Sequence, residues 1–300
     1  MAFLMMALAP SSSAQEQGNA DNRIYIEPLF EYPVVPDELG DNLTDRADYQ
    51  IENFWNNFDF KNKNAVDQNA LNHAFEVYAS AMPYATSEKV IKSVDKLIEK
   101  IKKNPTLSYQ FAKAAEEILY GPRASIWIDE VYIKFLENLV TNKKIDKSKK
   151  LKFQDQLSIL KNSAVGAKAY RFNYVSRDGQ HSNFMPKSDF TLIEFGNPEC
   201  DNCRYAKLKM DISSVLNDLL HDNRLDIYFI ITEEDEDGSL LKSTSTYPDK
   251  WIVGKAGELD DYYDLRATPS LYLIDKDGMI IAKNISVDNA IAILEVLSQQ

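Results

Sequence analysis

Cysteine is nearly absent from this chain of 300 residues, with one at position 200 and one at 203. Two sulfurs cannot build a disulfide framework. Together with three scattered histidines (His73, His181, His221) they do not make a four-ligand structural zinc site. Basic residues are in deficit, 34 against 46 acidic ones, giving a formal net charge of −12. A nucleic-acid partner would need a basic face, and no basic stripe appears. Glycine is scarce, and the chain has neither a glycine-rich phosphate loop nor a Gly-x-Ser-x-Gly elbow. Apolar runs long enough to span a bilayer are missing as well.

The longest apolar run at the start, Ala2 to Ala9, is broken by Pro10 and followed by Ser12-Ser13-Ala14 before Gln15. That outline predicts a secretory signal peptide over 1–14, with a truncated n-region because the basic opening segment is missing. The residue after the cleavage point is not cysteine, so no lipid anchor is expected there. The mature chain is therefore expected to be exported, or periplasmic.

Residues 15–42 are polar with scattered prolines and predict an extended leader. From 43 to 165 the apolar spacing is helical. It begins with YQIENFWNNFDF and continues through Leu71, Phe75, Tyr78 and Met82. Val90, Ile91, Val94, Leu97, Ile98 and Ile101 follow a 3.6-residue stripe after a Thr86-Ser87 cap. Breaks at Pro83, Asn104-Pro105 and Gly121-Pro122 separate the segments of an all-α bundle. These stripes are core faces; the other use for Trp55, Trp127 and the tyrosines would be to line a groove for a partner.

Beyond 166 the pattern changes to strands. Tyr170, Phe172 and Tyr174 alternate with polar residues up to an Arg177–Gln180 turn, which predicts a hairpin. FTLIEFG, LDIYFII, SLYLID and MIIAK read as further strands, and a closing helix from Val287 to Leu297 is capped by Ser286. Between the second and third of these runs, Thr232 to Gly257 is expected to be loop. Its acidic run, Glu233 to Asp237, lacks the spacing of a calcium loop and reads as a solvated strand end.

Both cysteines fall in one motif, Cys200-Asp201-Asn202-Cys203, where strand gives way to an amphipathic helix running through Cys203, Ala206, Leu208, Met210, Ile212 and on to Leu219. Two intervening residues in a first helical turn bring two sulfurs within disulfide reach. The first sulfur lies at the helix N-terminus, where free N–H groups favour the thiolate, the nucleophile of thiol–disulfide exchange. The second resolves the mixed disulfide. Glu199 and Asp201 oppose that helix-end effect by repulsion, which favours a reductant over a strong oxidant.

With Thr268-Pro269 and the run YDLRATPSLYLIDKDGMII, residues 166–300 resemble the thioredoxin superfamily, closest to its envelope thiol–disulfide oxidoreductases. The resemblance implies an α/β thioredoxin-like domain, a central mixed sheet flanked by helices, behind the helical-bundle domain. It implies a cis-proline at Pro269 opposite the cysteines, with Thr268 offering backbone hydrogen bonds to substrate. The competing reading is a trans proline opening an edge strand. It also places at Glu194 a buried acid that takes the Cys203 proton; the other reading is a strand glutamate facing water. The sequence departs from the family at Glu199, where tryptophan is usual, and in the Asp201-Asn202 dipeptide. The pattern of arginine and threonine that peroxidatic chemistry would want around Cys200 is also absent.

The implied activity is reduction of protein disulfides by Cys200 and Cys203, with no cofactor beyond this redox-active pair. The implied partners are protein thiols and disulfides of the cell envelope and an upstream electron donor. The alternative is a non-catalytic envelope scaffold holding a static disulfide. The helical half resembles an uncharacterised helical domain that precedes thioredoxin-like domains in Gram-negative envelope proteins, and it implies no activity.

Overall fold

Three helices of the first half are fixed at their starts by a side chain that satisfies free N–H groups. Asn42 accepts the Thr44 and Asp45 N–H groups to open α1 (Leu43–Asn53). Asp67 accepts Ala70 N–H at 2.8 Å to open α2 (Gln68–Ser80). Thr86 takes the cap position of α3 (Ser87–Ile101) without capping it. Its N–H and hydroxyl are both given to the Asp48 carboxylate of α1, so the predicted cap ties two helices together instead. Asn104 caps α4 (Pro105–Leu119), whose first residue is a proline that needs no donor there. Two more helices follow, α5 (Asp129–Thr141) and α6 (Lys147–Asn162).

The computed structural model describes residues 7–8, 27–62, 64–122, 124–234 and 238–299. The predicted signal peptide lies outside them except for Ala7 and Leu8, and the predicted extended leader lies outside them over 15–26. The chain divides into two compact units, Met1–Leu157 and Ser158–Gln300. In the first, the aromatic residues of the FWNNF run turn inward. Trp55 is 5% exposed, with its ring 5.1 Å from Phe111 and 5.4 Å from Tyr78. It therefore belongs to the core and not to a groove. Burying one such side chain contributes about 1.5–3 kcal/mol. Tyr78 donates to Ser93 Oγ at 2.9 Å, and Ser93 donates to the Ile51 carbonyl at 2.7 Å. This buried chain joins α2, α3 and α1.

The second unit is built on a seven-stranded sheet. A hairpin of β1 (Asn173–Ser176) and β2 (His181–Asn183) turns at Gly179, which adopts φ +81°. Next come β3 (Phe190–Gly196), α7 (Asp201–Asp211), α8 (Ser214–His221) and β4 (Leu225–Ile231). After them stand α9 (Ser239–Ser243), β5 (Ile252–Lys255), β6 (Ser270–Asp275), β7 (Ile280–Lys283) and α10 (Val287–Ser298). The strand order is β2-β1-β5-β4-β3-β6-β7. Strands β3, β4 and β5 run parallel; β6 is antiparallel to β3. Such a mixed sheet is covered on both faces. One face packs Leu192, Ile227, Phe229 and Leu273 against Ala206, Met210, Leu216, Ala290 and Leu294 of α7, α8 and α10. The other packs Ile193, Phe195, Tyr228 and Tyr272 against Phe172, Phe184 and Tyr263.

Two features differ from expectation. The stretch expected to be loop between Thr232 and Gly257 contains α9 and β5. The latter is four residues long and includes Gly254, where a Cβ would stand 2.8 Å from the Val175 carbonyl oxygen. Only glycine lets β1 pass that close. The helix after Cys203 breaks at Ser213, whose hydroxyl caps α8 by accepting Leu216 N–H at 3.4 Å. Leu208 and Ile212 are exposed on the face of α7 opposite the buried Cys203, Ala206 and Met210.

Candidate functional site

Strand β3 is buried along its whole length, and it ends at Gly196 because Asn197 and Pro198 turn the chain toward α7. Asn197 organises that turn. Its carbonyl accepts Cys200 N–H at 3.0 Å, its Oδ1 accepts Glu199 N–H at 2.8 Å, and its Nδ2 donates to Glu233 at 2.7 Å. Cys200 is then the N-cap residue of α7, and its sulfur accepts Cys203 N–H at 3.3 Å. The sulfur takes the place of the usual capping oxygen, so the helix end points a donor at it.

The two sulfurs stand in different surroundings. Both are free thiols; Cys200 is partly exposed and Cys203 fully buried. Burial, the contact with Cys200 and the nearby Glu194 carboxyl push the Cys203 thiol far up. A Cβ at Gly196 would stand 3.0 Å from Cys203 Sγ and 3.6 Å from Glu194 Oε1. Glycine at 196 therefore leaves the Cys203 sulfur its room, with the Glu194 carboxyl at ordinary contact distance from the same point.

Glu194 is fully buried, and among the described residues neither carboxylate oxygen has a hydrogen-bond partner. It lies opposite Phe229 on β4 and Leu271 on β6, facing the α7 side with Leu192. Burial first, and the Cys200 sulfur second, raise its carboxyl well above the ordinary range. Of the two readings for this position, the structure has the inward-facing acid.

Register brings the remaining residues to the same end of the sheet. Phe195 pairs with Ser270 across the antiparallel β3–β6 ladder, so the chain just after β3 and the chain just before β6 leave the sheet together. Thr268 and Pro269 are joined by a cis peptide bond, with Thr268 exposed.

Three contributors were not anticipated. Arg204 forms an ion pair with Asp201 and donates to the Glu199 carbonyl at 3.1 Å, setting a cation beside the two acids that flank Cys200. The i,i+3 spacing of Asp201 and Arg204 on a helix was the available signal. Tyr247 lies on the α7 face with its ring 4.7 Å from Phe229 and 5.9 Å from Trp251. Among the described residues its buried hydroxyl has no partner, and burial together with Glu194, Cys203 and Cys200 pushes its pKa up. Asn197, the third, looked only like a breaker. Among the described residues no three His, Cys, Asp or Glu side chains gather as a metal cage, and no helix is long and apolar enough to cross a membrane.

A thioredoxin-like protein from Bacteroides caccae superimposes with a TM-score of 0.72 at 20% identity, covering 90% of this chain and 99% of that one. A conserved protein of unknown function from Bacteroides fragilis matches at 30% identity over 44% of this chain and 99% of its own, with a TM-score of 0.42. The thioredoxin domain of a thiol-disulfide oxidoreductase from Bacteroides vulgatus matches at 22% identity over 45% of this chain and 97% of its own, with a TM-score of 0.38. No curated protein matches the sequence. A family model described as a domain of unknown function, DUF5106, covers residues 8–163. The chain thus belongs to the DUF5106 family and carries, after that helical domain, a unit with the thioredoxin-like fold.

Proposed function

We propose that this protein is a thiol–disulfide oxidoreductase that reduces protein disulfides outside the cytoplasm. The observation that carries the reading is the asymmetry of the two thiols. An accessible sulfur caps a helix, and three residues on a buried sulfur sits beside an unpartnered carboxyl group.

In the reaction the Cys200 thiolate attacks one sulfur of a substrate disulfide, and the substrate's other sulfur leaves as a thiolate. The ionised Glu194 carboxylate takes the Cys203 proton, and the new thiolate attacks Cys200 Sγ. That step breaks the mixed disulfide, releases the second substrate thiol and leaves a Cys200–Cys203 disulfide. Two electrons have passed to the substrate, and an upstream dithiol donor returns them by the same exchange. Thr268 offers its backbone to the substrate chain beside Pro269. Arg204 answers the Asp201 charge, but the Glu199 carboxylate remains next to Cys200 and supports the reducing direction. The apolar run and small-residue step before Gln15 support an exported location.

The test is to substitute Cys203→Ser and incubate the reduced protein with disulfide-bearing envelope proteins. Mixed disulfides should accumulate on Cys200 and disappear when Cys200 is also replaced. Absence of adducts, with a wild-type protein inert toward disulfides, would leave a scaffold. Equilibration in thiol buffers then gives the direction. A midpoint near roughly −270 mV fits a reductant, and one near roughly −120 mV an oxidant.

A further inference from the structure

The chain leading into β6 reads Asp264-Leu265-Arg266-Ala267-Thr268-Pro269, a short loop ending at the two residues assigned to substrate. Asp264 is 1% exposed, an unusual place for a carboxylate. Its Oδ1 accepts Arg266 Nε and its Oδ2 accepts Arg266 Nη2, both at 2.7 Å. Oδ2 also accepts Lys283 Nζ at 3.2 Å and Asn284 Nδ2 at 3.0 Å. The Asp264 backbone is held as well. The Tyr272 hydroxyl accepts its N–H at 2.8 Å and donates to its carbonyl at 3.1 Å. At the other end of the loop Ser270 donates to the Ala267 carbonyl at 2.6 Å.

These partners come from separate parts of the sheet: Tyr272 from β6, Lys283 from β7, and Asn284 just beyond it in a left-handed conformation. A buried carboxylate is costly unless it is paired and fully hydrogen-bonded, and apolar packing would serve stability as well. What an Arg–carboxylate fork adds is fixed direction. Here that direction is imposed on a loop of six residues whose far end faces the Cys200 turn through the Phe195–Ser270 pairing.

We infer that Asp264 is a positioning residue: through Arg266, Lys283 and Tyr272 it holds the 264–269 loop so that the Thr268 backbone is presented to a polypeptide disulfide at Cys200. The inference rests on the oxidoreductase reading. It separates two kinds of substrate. A peptide disulfide needs the loop's backbone groups as well as the thiolate, whereas a small disulfide such as 2-hydroxyethyl disulfide needs the thiolate alone.

The experiment compares reduced wild-type protein with Asp264→Asn and Tyr272→Phe, measuring second-order rate constants against a disulfide-bridged peptide and against 2-hydroxyethyl disulfide. Both variants should react with the peptide about tenfold more slowly or worse, and with the small disulfide within about twofold of wild type, the size of loss expected from misplacement without chemical damage. Tyr272→Phe removes only a hydroxyl, so it decides the matter if Asp264→Asn does not fold. Equal losses with both disulfides, or no loss with the peptide, overturn the positioning role. A wild-type protein that reacts with neither overturns the oxidoreductase reading, and this inference falls with it.

Discussion

Two carboxylates of the thioredoxin-like unit are withdrawn from water, and their surroundings treat them in opposite ways. Asp264, at the start of the loop before β6, receives four hydrogen bonds from three side chains. Burial pushes its carboxyl up, but the Arg266 bonds and the Lys283 and Arg266 charges outweigh it, so it lies below the ordinary range. Glu194, in mid-sheet, receives none among the described residues, and burial keeps it well above that range. The first acid is held in one protonation state, as a structural anchor must be. The second has no donor among the described residues to hold it as an anion, which suits proton transfer. Burial alone says nothing about which role an acid plays; the donors around it do.

The largest expected effect breaks the anchored side of this contrast. Asp264→Ala leaves Arg266 and Lys283 nearly buried without their carboxylate, and removing one partner of such a cluster costs roughly 3–5 kcal/mol. Because the folded-state pKa of Asp264 is depressed, its contribution is present above the unfolded value near about pH 4 and disappears as pH falls through the folded value. Urea denaturation should therefore show a wide gap between wild type and variant at neutral pH that closes in acid. A gap that stays constant with pH would mean the loss is one of packing.

Glu194→Gln should act in the opposite sense. The native state holds the Glu194 proton to higher pH than the unfolded chain does, so wild-type stability falls as pH rises from about 4 toward the raised folded value. The variant lacks that slope and should gain roughly 1–3 kcal/mol over wild type as pH approaches neutrality, the scale of a buried unsatisfied group. Under the proposed function it should also slow closure of the Cys200–Cys203 disulfide about a hundredfold, at the low end of general-base effects. Stopped-flow measurement of mixed-disulfide decay checks the second part. Unchanged decay would remove Glu194 from the reaction.

How much of this pair could be read in the sequence depends on the distance over which each is assembled. The cysteine turn is local: strand, breaker, two sulfurs and helix lie within 15 residues, and so do the Thr268-Pro269 step and the Asp275–Gly278 turn. Glu194 was half legible. Its apolar neighbours marked a strand, but alternation alone cannot say that both faces are covered, and that coverage comes from Phe172, Phe184 and Tyr263 on one side and α7 on the other. The Asp264 cluster was not legible, because Tyr272, Lys283 and Asn284 are brought to it by the β6–β7 hairpin from 8 to 20 residues away. Strand β5 was missed for a similar reason: four residues with a glycine become a strand only because β1 and β4 flank them. Leu208 and Ile212 are apolar but sit on the side of α7 opposite Cys203, Ala206 and Met210, so the helical period turns them to the surface.

The smallest expected effect sharpens the unanchored side. Tyr247 shares the apolar layer around Glu194, and its hydroxyl, like the carboxylate, has no partner among the described residues. Tyr247→Phe deletes an unpaired polar group while leaving the ring against Phe229 and Trp251, so stability should change by less than about 1 kcal/mol, toward the stable side. A clear loss of stability would instead show that the phenol makes a hydrogen bond in solution, and Glu194 is then its natural acceptor. Asp264 and Glu194 would in that case differ in the number of their donors and no longer in having any. Following the variant's stability as pH rises from about 4 through the titration of Glu194 separates the cases: a hydrogen bond to the ionised carboxylate weakens the variant only where Glu194 has lost its proton, whereas deletion of an unpaired hydroxyl shifts stability equally throughout.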